Sequence, residues 1–273
     1  MTAVTIADLQ AKKDRGEKIF GVVAFDYHMA AIADRAGVDI VSVGDTVGKN
    51  IWGHDDPLAV TMDEMITVTR AARRGTKRAI LSADFPYGPL QSGVDTALAA
   101  ARRFVEVGGV DMVKLDAAAE FPEAVAAIVE AGIPVWAQFG LTPQTAQSYG
   151  IPYENQADPT AIIPPQMTER MIDEAKMLEG IGAAMLDFTN SGPIVGPAVV
   201  AAIKIPVIGG FGGGPWLDGR VRLTTAAAGY NVAALDKEPD SYANVARTIL
   251  EALVACGDDV RQGRQIKGQP GRS

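Results

Sequence analysis

Four short apolar stretches of this chain each end in an acid that runs straight into a turn. VDIVSVGDTVG closes on Asp45, RAILSADFPYG on Asp84, DMVKLDAAAEF on Asp116 and GAAMLDFTNSG on Asp187. A single acid after a strand-like run is ordinary, because it serves equally well as the cap of the next helix. Four of them along a repeating β/α chain constrain the fold much further. In a parallel barrel the carboxyl ends of all strands face one cavity, where active sites lie. Hard oxygen donors gathered there suit a divalent cation.

The rest of the chain keeps the same alternation. Strand-like runs fall at 19–25, 40–43, 79–83, 112–115, 135–138, 184–188 and 207–209, with 230–235 as the expected eighth. Helical periodicity occupies 28–36, 62–74, 94–107, 122–131, 168–181 and 196–203, and a last helix is expected over 241–256. Strands separated by one helix each imply right-handed parallel βαβ units. The segments RAGVDIV, VGGVDMVKL and EAGIPVWAQ share a refrain in which Gly ends a helix in the left-handed region and a buried strand follows. At 273 residues the chain suits a single-domain α/β fold, a (βα)8 TIM-type barrel. It is expected to fill 1–256, with an N-terminal helix capped at Thr5 and a C-terminal helix, and to leave 257–273 as a polar tail. The stretch 140–165 lacks periodicity and is long for a βα loop, which suggests a lid or interface.

Charge narrows the partners. A net charge of −8 repels a phosphate backbone, so no nucleic-acid partner is expected. The chain has no apolar run of about 18 residues, which leaves no transmembrane span, and its charged N-terminal stretch lacks the apolar centre of a signal peptide. The lone Cys256 excludes a disulfide framework within the chain and fits a reducing cytoplasm.

The segments VGDTVG, GHDDPLAVTMDEMI with RAARRG, ADFPYG, VKLDAAAE, GLTPQ and IPVIGGFGGG stand in an order and spacing that resemble the ketopantoate hydroxymethyltransferase family over roughly residues 4–230. The resemblance implies a barrel similar to the phosphoenolpyruvate mutase and isocitrate lyase group. It also implies hydroxymethyl transfer from methylenetetrahydrofolate to 3-methyl-2-oxobutanoate, with Mg²⁺ as cofactor and Mn²⁺ or Co²⁺ as other choices. By position, Asp45 and Asp84 match the metal-ligating aspartates, and Thr46 stands where the family has a Ser beside the substrate carboxylate. Lys114 matches the active-site Lys, Asp116 replaces a Glu near the metal shell, Asp187 replaces the Glu proposed as base, and Gln138 replaces a His. The expected site is therefore Asp187 and Lys114 for catalysis, Asp45, Asp84 and Asp116 for the metal, and Thr46, Asp45, Asp84, Lys114 and Gln138 for the 2-oxo acid. Family members assemble as large rings, commonly decamers, so a homo-oligomer is expected.

These side chains suit an enolising site. The proton next to a ketone leaves only if the enolate is stabilised, and a cation held by carboxylates does this as a Lewis acid. Alternation around Val113 and Leu115 turns Lys114 to the inner face of the barrel, where it adds a second cation. Asp187 can take the proton if burial raises its pKa, although it is one methylene shorter than Glu. Gln138 cannot titrate but can hydrogen-bond. The changes at Gln138 and Asp187 keep a folate-independent aldolase or lyase of the same barrel group open as the alternative. His28 reads as a helix-start polar cap and His54 as a loop-ordering hydrogen-bonder, and neither has metal-ligand spacing. The 209–214 glycine run suits either a phosphate cradle or a tight turn.

Overall fold

Thr5 accepts from the backbone N–H of Asp8 while the Asp8 carboxylate accepts from that of Thr5, a reciprocal cap that starts α1 (Ile6–Asp14). The computed structural model describes residues 2–268 other than 57, 143, 147, 151–161, 211 and 212. After α1 come β1 (Ile19–Val23), α2 (Tyr27–Arg35), β2 (Ile40–Val43), the short α3 (Val47–Asn50), α4 (Met62–Gly75) and β3 (Ile80–Asp84). Then follow α5 (Val94–Arg103), β4 (Met112–Leu115), α6 (Pro122–Glu130), β5 (Val135–Gln138), α7 (Thr168–Ile181) and β6 (Met185–Asp187). The barrel ends with α8 (Gly192–Ala202), β7 (Val207–Gly209) and β8 (Gly219–Leu223). The strands close in chain order from β1 to β8 as parallel neighbours, the (βα)8 fold that the alternation predicts.

The eighth strand is not at 230–235. It is formed by GRVRL, and Val232–Leu235 is a single 3₁₀ turn. Two arginines hide the strand in the sequence. The Arg220 guanidinium donates to the carbonyls of Gly209 (3.1 Å) and Gly210 (2.8 Å), while Val221 packs toward the interior. The refrain glycines behave as expected: Gly37, Gly109 and Gly132 have φ of +85°, +74° and +78°. A π-helical turn, Phe104–Gly108, completes the helix expected over 94–107.

The interior is built from inward-facing alternate residues. Leu9 of α1 joins Ile19, Ile40, Ile80, Met112, Trp136, Met185 and Ile208 in one buried layer, with Val221 packed against it. Below this layer, three acids tie neighbouring strands together. The N–H of Asp39 donates to the carbonyl of Phe20 and its carboxylate accepts the N–H of Phe20. Asp111 does the same with Leu81, and Asp218 with Val207. Each acid also meets a cation: Lys12 on Asp39, Arg73 on Asp111 and Lys13 on Asp218.

The described chain divides into two compact units, Met1–Arg222 and Leu223–Ser273. Within the second, α9 (Thr224–Ala228) and α10 (Val245–Arg261) are linked through the 3₁₀ turn, where Arg247 donates to the carbonyl of Leu235 at 2.6 Å. The helix expected over 241–256 is α10, which begins after its cap Asn244. No helix among the described residues is long and apolar enough to cross a membrane.

Candidate active site

Strand register brings the site together at the carboxyl ends. Asp84 on β3 pairs with Lys114 on β4, and Gln138 on β5 pairs with Asp187 on β6. The Lys114 ammonium donates to Oδ2 of Asp84 at 2.9 Å and stands 3.3 Å from Oδ2 of Asp187. Burial by itself would lower the Lys114 pKa, but the Asp84 and Asp187 carboxylates outweigh it and hold the amine above its ordinary value. The ammonium also lies 5.2 Å from the centre of the Trp136 ring, within cation–π range.

The four strand-end acids are not alike. Asp84 accepts from the Ser42 hydroxyl at 3.0 Å as well as from Lys114. Asp187 is almost wholly buried, and burial raises its pKa against the opposing pull of Lys114 and the Thr189 hydroxyl. Asp45 is pushed up to about 8, first by burial and then by the nearby Asp84 and Asp116 carboxylates. Asp116 is pushed up to about 6 by burial, although the Thr142 side chain, Lys114 and the Ala117 N–H all favour its charged form.

These donors fit a hard divalent cation. Asp45 is an acid whose ionisation is opposed by two neighbouring carboxylates, so a cation between it and Asp84 would relieve that repulsion. Among the described residues no three Asp, Glu, His or Cys side chains are grouped so as to hold an ion by themselves, and the expected set of Asp45, Asp84 and Asp116 is not such a group. Two carboxylates with the other positions left to water and substrate is the usual arrangement for Mg²⁺. The same pair would serve Mn²⁺ or Co²⁺, since carboxylate sites discriminate weakly by affinity.

The remaining expected residues divide. Thr46 follows Asp45 and donates its backbone N–H to that carboxylate, and Gln138 is buried at the end of β5. The helix cap near His28 is Asp26, which accepts the N–H of Met29, while the His28 ring makes an edge contact with Tyr27. The backbone N–H of His54 orders its loop by donating to the Gly48 carbonyl at 2.9 Å; its imidazole lies against Trp52, with Nδ1 buried and unbonded. The 140–165 stretch, expected as a lid or interface, and the 209–214 glycine run fall partly outside the described residues. Ser42, Trp136 and Thr189 were not anticipated. For Ser42 and Trp136 the available signal is the inward phase of alternation, two residues after Ile40 and two residues before Gln138 respectively; for Thr189 it is a hydroxyl two residues beyond a strand-end acid.

The ketopantoate hydroxymethyltransferase family model matches residues 3–265. The chain is 37% identical over 265 residues to the 3-methyl-2-oxobutanoate hydroxymethyltransferase of Moorella thermoacetica, covering 96% of this chain and 94% of that one. It is 33% identical to the enzyme of the same name from Paenarthrobacter aurescens, covering 97% and 85%. Among solved structures, 2,3-dimethylmalate lyase, described as a member of the PEP mutase/isocitrate lyase superfamily, superposes with a TM-score of 0.61 at 14% identity, covering 98% of this chain and 92% of that one. At that identity the likeness is one of fold. The family match and the relatives extend over nearly the whole chain, and the chain belongs to the ketopantoate hydroxymethyltransferase family.

Proposed function

We propose that the protein transfers a hydroxymethyl group from 5,10-methylenetetrahydrofolate to 3-methyl-2-oxobutanoate, or to a closely related 2-oxo acid, through an enolate. The observation that carries this reading is Lys114 set between Asp84 and Asp187 at 2.9 and 3.3 Å, a cation beside a buried acid. Relatives named for this activity over nearly the whole chain support the substrate.

Asp45 and Asp84 would hold the Mg²⁺, with Asp116 beside them. A divalent cation there supplies Lewis acidity to the 2-oxo acid. Asp187 takes the proton from C3 of the substrate, and its raised pKa brings the carboxylate closer to the basicity that this step needs. Lys114 offsets the negative charge that develops as the electron pair moves toward the ketone oxygen. Gln138 and Thr46 orient the substrate by hydrogen bonds, with Thr46 beside its carboxylate. The donor's methylene carbon then bonds to C3 as one of its two bonds to a folate nitrogen breaks, and water displaces the second nitrogen to supply the hydroxyl, releasing tetrahydrofolate whose two nitrogens carry the protons from C3 and from water. The enzyme is proposed to work in the cytoplasm as a homo-oligomer, with light scattering as the check on assembly.

The test is proton–deuterium exchange at C3 of 3-methyl-2-oxobutanoate, followed by NMR in D₂O with and without Mg²⁺. Metal-dependent exchange that disappears in Asp187→Asn is expected. No exchange in the wild type overturns the enolate on this substrate. Product formation with free formaldehyde but none with methylenetetrahydrofolate would reassign the enzyme to folate-independent aldol chemistry.

A further inference from the structure

Thr189 lies two residues beyond the end of β6 and points back at Asp187. Its hydroxyl is 2.8 Å from Asp187 Oδ1, and its backbone N–H is 3.2 Å from the same oxygen. The hydroxyl is also 3.1 Å from the backbone nitrogen of Gly210. That nitrogen can only donate, so the hydroxyl accepts there and its single proton is directed to Asp187. The two oxygens of the acid are therefore unequal. Oδ1 is held by two donors from one residue, while Oδ2 faces Lys114 at 3.3 Å. The turn is fixed by Asn190, which has φ +59°, accepts from Ile163 through its carbonyl and donates to the Leu141 carbonyl through its side chain.

We propose that Thr189 is a positioning residue for Asp187: it pins Oδ1 and leaves Oδ2 as the oxygen that takes the C3 proton. The inference rests on the reading of Asp187 as the base. As the C3–H bond breaks, its proton bonds to Oδ2, its electron pair forms the C2–C3 double bond, and the ketone π pair moves to oxygen. Gly210 links this grip to β7, so the base is held from two neighbouring strands rather than by its own alone.

Thr189→Val keeps the shape and the backbone N–H and removes only the hydroxyl, while Thr189→Ser keeps the hydroxyl. In the substrate-free protein, ¹³C NMR can follow the Asp187 carboxyl carbon, assigned by its loss in Asp187→Asn. Thr189→Val is expected to raise the titration midpoint by about one to two pH units, the effect of losing a hydrogen bond to a charged group, and Thr189→Ser to restore it. C3 exchange in Thr189→Val is expected to fall by about tenfold to a hundredfold, as for a small misplacement of a reacting group. An unmoved midpoint in Thr189→Val overturns the inference whether or not the protein exchanges the C3 proton. A midpoint that moves in Thr189→Val, in a protein whose wild type does not exchange the C3 proton, leaves the grip on Oδ1 standing and removes the base.

Discussion

The Lys114 ammonium lies 3.3 Å from Oδ2 of Asp187 and 2.9 Å from Oδ2 of Asp84, so one buried cation serves two acids from different strands. Removing it leaves those carboxylates facing each other and takes away the charge that would steady an enolate. Lys114→Met is expected to lower the rate of C3 exchange by about 10² to 10³, the cost typical of losing one preorganised donor. Lys114→Arg should not rescue it, because a planar fork cannot replace a compact ammonium between two carboxylates. A Lys114→Met rate within a few-fold of wild type would remove Lys114 from the chemistry.

The pH profile follows from the same pair. A base works when deprotonated, so with Asp187 in the proposed role activity is expected to fall as pH drops through its pKa. Burial raises that pKa above the ordinary carboxylate value. With saturating Mg²⁺, the acid limb of kcat/KM, which reports the free enzyme, is expected above about 4. Lys114 is held protonated by Asp84 and Asp187, so it should cause no alkaline loss below about pH 10. An acid midpoint at the ordinary Asp value would assign the proton transfer elsewhere.

The strand-end acids were legible because strand, acid and turn recur with the same local pattern, and a closed parallel sheet must bring such ends together. The eighth strand was not, because an apolar YNVAAL competes with a GRVRL whose arginines give it little net hydrophobicity. Hydroxyls such as Ser42 and Thr189 leave no trace in composition. Ser42 meets Asp84 only through the register of β2 and β3, and the role of Thr189 depends on a left-handed Asn190. The acids below the barrel leave a partial trace: Asp39 and Asp111 both sit in a G-V-D refrain, but nothing local says that the acid caps a neighbouring strand.

Chelation tests the cation. EDTA is expected to abolish C3 exchange and Mg²⁺ to restore it. Asp45→Asn and Asp84→Asn should each raise the Mg²⁺ required by at least about tenfold, since even outer partners of a metal site cost that much. Asp116→Asn should raise it less, because Ala117 and Thr142 already hold that carboxylate. Full exchange in metal-stripped protein would dismiss the metal.

Barrel closure places Gly219 of β8 against the backbone of β1. A side chain there would meet the carbonyl of Ile19, with its Cβ 2.8 Å from the carbonyl carbon. Gly219→Ala must push the two strands apart, and it is expected to cost about 1–3 kcal/mol, as overpacking does. Urea denaturation reads this as a lower midpoint. A midpoint equal to wild type would mean that the seam relaxes freely.

At the far end of the barrel from the site, Asp39 is a buried acid with a structural task. Its carboxylate accepts the Phe20 N–H at 2.9 Å and meets Lys12 at 2.7 Å, while its own N–H donates to the Phe20 carbonyl. Asp39→Ala leaves a strand N–H without its acceptor and a lysine without its partner. The expected loss is about 1.5–3 kcal/mol, the range for hydrogen bonds to charged groups. Lys12→Met tests which contact matters. The lysine side chain is 27% exposed and its pair is partly screened, so that variant should lose less than about 1 kcal/mol. Both should keep wild-type C3 exchange when folded, because neither residue reaches the carboxyl ends of the strands. If Lys12→Met costs as much as Asp39→Ala, the ion pair rather than the capped N–H holds β1 to β2.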